Sequence, residues 1–161
     1  MFERKINAPQ SSSVGRLFDG VYALSGHLCA LGYEGESGLI MEKLASGVKT
    51  KEHYTYSLKD QEISYDAMIQ EILQEESAEL VSAKFINTLL AIIVEIAQKH
   101  PKLPLLLSGG VFQNRLLLSK VTKALKKMGR RYYVQEQSAL NDGSISLGQI
   151  YYGIKKYKGK K

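Results

Sequence analysis

The sequence predicts an α/β domain, largely helical, organised around a short parallel strand–helix–strand unit. Three observations carry that prediction. Residues 103–107, "LPLLL", are a short, nearly continuous apolar run of the kind that forms a strand buried on both faces. After it, Leu117, Val121, Ala124, Leu125 and Met128 recur at helical spacing, and Gly129 supplies a stop signal. Tyr132, Tyr133 and Val134 then read as a second short strand. Two strands joined through a helix run parallel, with a right-handed crossover.

The remaining elements follow in chain order. Residues 1–10 read as an extended arm, and Ser11, Ser12 and Ser13 offer N-cap chemistry. Val14, Leu17, Phe18, Val21, Leu24, Leu28 and Leu31 then predict one helix, which would include Cys29. A glycine-punctuated loop covers 32–38, and 39–44 can make a short helix. The alternation Tyr54, Tyr56, Leu58 predicts an edge strand. Residues 65–75 suggest a helix, and 77–99 a long one with Leu80, Val81, Phe85, Leu89, Ile92, Ile93 and Ile96 inward, ended by His100 and Pro101. A last helix follows Asn141, Asp142 and Gly143 and runs toward Tyr152.

Composition bounds the function. The chain has 161 residues, 44% of them hydrophobic, enough for one domain spanning 1–161. The net charge of +6 is uneven, because residues 155–161 hold five lysines and leave about +1 for the rest. This tail is expected to be disordered. A second basic cluster, Lys123, Lys126, Lys127, Arg130 and Arg131, lacks interleaved aromatic residues and reads as a solvated helix face. No nucleic-acid or membrane partner is expected. The most apolar stretch, "TLLAIIVEIA", is short for a bilayer and carries Glu95. The single Cys29 excludes an internal disulfide and points to a reducing, cytoplasmic setting.

Two polar loops carry the candidate chemistry. Gly109 and Gly110, in "LSGGVFQN", and Asn141 and Asp142 both fall just past the carboxyl ends of the paired strands, the edge where open α/β sheets bind ligands. Gly109 and Gly110 let backbone approach a ligand, and the amides opening the next helix can face an anion. Asn114 is either the N-cap of that helix or a contact to base, sugar or phosphate. Asp142 is either a turn residue or a ligand for a divalent metal. Asp19 is either a solvated carboxylate or an acceptor for ribose hydroxyls. "LLLSGGVFQN" is not a Walker A loop, since it lacks the Gly-Lys-Ser/Thr ending. His27, His53 and His100 have no metal-ligand spacing, and no nucleophile–base arrangement is visible.

The segments "SSSVGRLFDGVYAL", "YEGESGLIMEKLA", "AKFINTLLAII", "LSGGVFQNRLLL" and "NDGSISLGQ" occur in an order and spacing that resembles the C-terminal part of the HypF family of hydrogenase maturation factors, over residues 8–153. The resemblance implies one lobe of an actin/Hsp70/sugar-kinase-like fold, with nucleotide held between two lobes. It implies a carbamoyltransferase that uses carbamoyl phosphate and ATP, forms carbamoyl adenylate, and passes the carbamoyl group to the C-terminal cysteine of HypE. That group becomes the cyanide ligand of nickel–iron hydrogenases. It also implies nucleotide contacts at Asp19, Gly35, Gly109, Gly110 and Asn114, and a metal ligand (for magnesium, zinc or iron) at Asp142.

No residue here is implied as catalytic, because the attacking thiolate belongs to HypE. The remaining metal ligands, a histidine pair and an aspartate, belong to the first lobe of such proteins, alongside acylphosphatase, zinc-finger and adenylate-forming domains. The chain therefore reads as a piece of a longer protein, inactive alone and able to self-associate through its uncovered lobe-facing surface. It departs from the family pattern at Ile86, where histidine is usual, at Ser138, Ala139 and Leu140, where proline often precedes "NDG", and in "NDGSIS" for "NDGGLA". Two other readings are a lobe of the related tRNA threonylcarbamoyladenosine transferases and a non-catalytic interaction module.

Overall fold

The computed structural model describes residues 11–26 and 30–158. The extended arm expected over 1–10, Cys29 and Leu28 lie outside the described residues, as does the end of the lysine tail. Six helices and two small sheets are described: α1 Val14–Leu24, α2 Glu36–Ser46, β1 Ser57–Lys59, β2 Glu62–Ser64, α3 Asp66–Ile72, α4 Ala78–Lys99, β3 Leu105–Leu107, α5 Arg115–Lys127, β4 Tyr132–Val134 and α6 Ile145–Lys158. Short 3-10 turns at Gly110–Gln113 and Asp142–Ser144 precede α5 and α6.

The core is built on α4. Ser77 caps it, its hydroxyl accepting from the Leu80 amide at 3.1 Å. Phe85, Ile86, Val81 and Leu89 are buried, together with Phe18 and Val21 of α1, Met41 of α2, Met68 and Ile72 of α3, and Leu117, Val121 and Leu125 of α5. The rings of Phe18 and Phe85 meet edge to face with centroids 4.8 Å apart, an arrangement the aromatic quadrupole favours. Among the described residues α4 alone is long and apolar enough to cross a bilayer by length and composition, a test that a buried core helix also passes. Its apolar faces are instead taken up by α1, α2 and α5.

Buried polar groups of α4 hold an extended strap over residues 50–56. Asn87 donates through Nδ2 to the Thr50 and Glu52 carbonyls at 3.1 and 2.8 Å, and accepts from Lys120 Nζ at 2.8 Å. Thr88 Oγ1 accepts from the Tyr54 amide at 2.9 Å. Lys84 pairs with Glu75 at 3.0 Å and Glu52 at 3.4 Å, and lies over the Tyr54 ring. Burial lowers the pKa of the Lys120 ammonium.

The strand–helix–strand prediction holds in topology: β3 and β4 pair in parallel, Leu105 with Tyr132 and Leu107 with Val134. Burial on both faces does not hold. Leu107 is buried, but Leu106 and its partner Tyr133 are 72% and 57% exposed, because α5 covers only one face. The first helix stops at Leu24 rather than near Leu31, where Ser25 Oγ donates back to the Tyr22 carbonyl at 2.8 Å. The strand expected around Tyr54 is displaced to β1, which pairs with β2 as an antiparallel hairpin. Tyr54 itself is buried against α4. The tail expected to be disordered begins within α6, whose last turn contains Lys155, Lys156 and Lys158.

Candidate functional site

Four stretches well separated in sequence meet at one cleft of about 730 Å³. Asp19 of α1, Gly35 before α2, Gly110 and Asn114 around the 3-10 turn, and Asp142 of the second 3-10 turn all line it. Gly109 does not. It adopts φ +102°, ψ 157°, a region only glycine occupies readily, and so sets the turn that brings Gly110 to the cleft. Gly35 also has positive φ, +86°, and starts α2 as its N-cap. Neither glycine has an atom within 4 Å of where a Cβ would stand.

Asp19 is fixed from two sides. Ser37 Oγ, fully buried in the first turn of α2, donates to Asp19 Oδ1 at 2.6 Å. Arg16 Nη1, one turn earlier on α1, donates to Asp19 Oδ2 at 3.2 Å. The Asp19 side chain keeps 29% of its surface exposed.

Asn114 is the N-cap of α5: its Oδ1 accepts from the Leu117 amide at 2.9 Å. Its Nδ2 donates to the Gly38 carbonyl at 3.3 Å, which ties α5 to α2. Glu42 Oε2 accepts from the Arg115 amide at 3.1 Å. Two of the amides opening α5 are thus already taken by the protein's own side chains, Leu117 by Asn114 and Arg115 by Glu42, the latter a full negative charge at the positive end of the helix dipole. Asn114 thus joins two walls of the cleft, leaving one of its amide hydrogens for a ligand.

The electrostatics of the cleft are lopsided. Among the described residues, Asp19, Glu34, Glu42 and Asp142 line it against a single cation, Arg16. A phosphate entering alone meets net repulsion. Asp142 is exposed, beside Asn141, whose Oδ1 accepts from the Gly143 amide at 3.1 Å. Among the described residues no three His, Cys, Asp or Glu side chains are grouped to hold a metal ion. A hard divalent cation takes about six oxygen donors, and Asp142 offers one side chain. The described residues therefore do not complete a metal site.

Ser37, Glu42 and Arg16 are absent from the sequence reading. Arg16 was within reach of it, three residues before Asp19 on the same helix face. Ser37 and Glu42 act across separations of 18 and 73 residues, which no local pattern reveals. The basic cluster behaves as a solvated face with one structural member. Arg130 Nη2 donates to the His100 and Leu103 carbonyls at 2.5 and 2.7 Å and secures the approach to β3.

Comparison with known proteins follows the same boundaries. A family model described as "Carbamoyltransferase, Kae1-like Domain, second subdomain" matches residues 1–149. Carbamoyltransferase HypF of Synechocystis sp. is 34% identical over 149 residues, covering 89% of this chain and 19% of that protein. The HypF of Rhizobium leguminosarum bv. viciae is 27% identical, covering 94% of this chain and 21% of its own length. A crystal structure of full-length HypF in a phosphate- and nucleotide-bound form superposes with a TM-score of 0.85 at 32% identity, over 98% of this chain and 22% of that one. The HypF of T. kodakarensis shares the fold, with a TM-score of 0.79 at 22% identity. The chain spans about one fifth of the length of these relatives. By its motifs, its fold and this match, the chain belongs to the HypF carbamoyltransferase family, as the second subdomain of the Kae1-like domain.

Proposed function

We propose that the chain is the nucleotide-holding lobe of a HypF-type carbamoyltransferase, of actin/Hsp70/sugar-kinase architecture. Within the longer protein it would act on ATP and carbamoyl adenylate, made from carbamoyl phosphate, for transfer of the carbamoyl group to the C-terminal cysteine of HypE during hydrogenase maturation. The observation that carries this reading is the convergence of Asp19, Gly35, Gly110, Asn114 and Asp142 on one cleft, with Gly109 shaping the turn. A neighbour of the same fold described as nucleotide-bound supports it.

In this reading each residue has a physical task. Asp19 presents carboxylate lone pairs to a sugar diol. Gly110 brings backbone against the ligand without a side chain in the way. Asn114 keeps α2 and α5 at the spacing the ligand needs. A divalent cation, when bound, would neutralise phosphate charge, with Asp142 as this lobe's single donor and the others supplied from outside it. The acidic lining agrees with such a need, since phosphate gains little from this wall alone. No group here serves as nucleophile, so the lobe holds and orients while transfer takes place with the rest of the protein.

Titration of the chain with ADP and magnesium tests this. Asp19→Ala should weaken ADP binding by about tenfold or more, the loss of a charge-assisted hydrogen bond. Asp142→Ala should weaken binding only when magnesium is present. Equal affinity of wild type and Asp142→Ala for magnesium-ADP would remove the metal role. Robust carbamoyl transfer by the chain alone would overturn the account of a half site.

A further inference from the structure

The two partners of Asp19 differ in kind. Ser37 is fully buried, and its 2.6 Å bond to Oδ1 is short and charge-assisted. Arg16 has a side chain 75% exposed and sits 3.2 Å from Oδ2, a surface pair of small worth. Among the described residues, Arg16 is also the one cation on the cleft lining. A ligand with both a vicinal diol and a phosphate therefore competes for two things at once: the Asp19 carboxylate and the guanidinium that rests on it.

We infer that the two contacts divide the labour of ligand selection. Ser37 is a positioning residue that fixes the Asp19 carboxylate for the sugar hydroxyls. Arg16 is an exchangeable cover on Oδ2 that turns to the phosphate when a nucleotide enters. Each part of the ligand then frees the site for the other, because phosphate draws away the guanidinium and exposes the oxygen that the diol needs. The inference rests on Asp19 as the sugar-binding group of the proposed function.

Affinities of the chain for adenosine, ADP and 2′,3′-dideoxyadenosine, measured by calorimetry without magnesium, test it through ratios. Wild type should prefer adenosine to its dideoxy analogue. Ser37→Ala should cut that preference by about tenfold, the effect of one buried hydrogen bond to a charged group. Ser37→Thr, which keeps the hydroxyl, should retain it. Arg16→Gln uncovers Oδ2 and should keep or raise the hydroxyl preference, while it lowers the ratio of ADP to adenosine affinity by about fivefold, as loss of a phosphate-facing guanidinium does. General damage to the fold would lower all three affinities together and leave the ratios unchanged. A wild type blind to the hydroxyls would sink the sugar role of Asp19 and with it the functional reading. A wild type that discriminates, with Ser37→Ala discriminating equally, would sink only the division of labour. So would an Arg16→Gln variant that loses the hydroxyl preference.

Discussion

At the scale of single residues, the cleft is built by side chains that each satisfy a backbone or a neighbour first. Asn114 illustrates this. It caps α5 through Leu117 and reaches the Gly38 carbonyl, so both ends of its amide are used. Asn114→Ala should destabilise the domain by about 1–2 kcal/mol through loss of the cap. Thermal melting would check the stability, and ADP affinity should fall in parallel because α2 and α5 lose one of their two ties. Asn114→Asp keeps the cap acceptor and should recover most of the stability but not the Gly38 contact. Ile86 is completely buried in the apolar core, where it packs.

At the scale of elements, the strap over 50–56 carries two tyrosines that titrate at high pH, one of them, Tyr56, tied to α4 by a 2.9 Å bond to Glu95. Burial, aided by the hydrogen bond to Glu95, pushes the Tyr56 hydroxyl up to about 12 from 10.0. Burial raises Tyr54 and Tyr65 as well, Tyr54 further so by Glu75 and Glu71. The folded state thus holds these protons more tightly than the unfolded chain. The stability they contribute is complete below about pH 10 and is lost as pH rises through about 12 for Tyr56. Tyr56→Phe should flatten part of the alkaline limb of stability against pH, as denaturant unfolding at stepped pH would reveal. The helices were largely legible in the sequence because their periodicity is local: α4 and α5 lie within two residues of their predicted bounds. The strand around Tyr54 was misread because alternation records burial, and Tyr54 is buried against α4 rather than in a sheet. The double-sided burial of β3 failed for a related reason. An apolar run shows that a strand wants cover without saying whether this chain supplies it.

At the scale of the whole molecule, the cover missing from one side is the dominant fact. α6 has no buried residue, and Ile150, Tyr151, Tyr152 and Tyr157 are each at least 60% exposed. Leu106 and Tyr133 present a second apolar face. We expect the isolated chain to self-associate in a concentration-dependent way, since so much exposed apolar surface is unusual for a monomer. Sedimentation across a concentration series would show it, and Ile150→Lys with Tyr151→Lys should shift the population toward monomer. The site was only partly legible at this scale. Motif resemblance pointed to Asp19, Asn114 and Asp142, whereas Ser37 and Glu42 emerge only when α2 is laid across α1 and α5. The ties from Asn114 to Gly38 and from Glu42 to Arg115 have a kinetic consequence. These bonds hold the backbone of α2 against the start of α5 before any ligand arrives, so part of the ordering entropy was spent in folding and binding has mainly side chains such as Arg16 left to order. Residence time rather than association rate should then separate good ligands from poor ones.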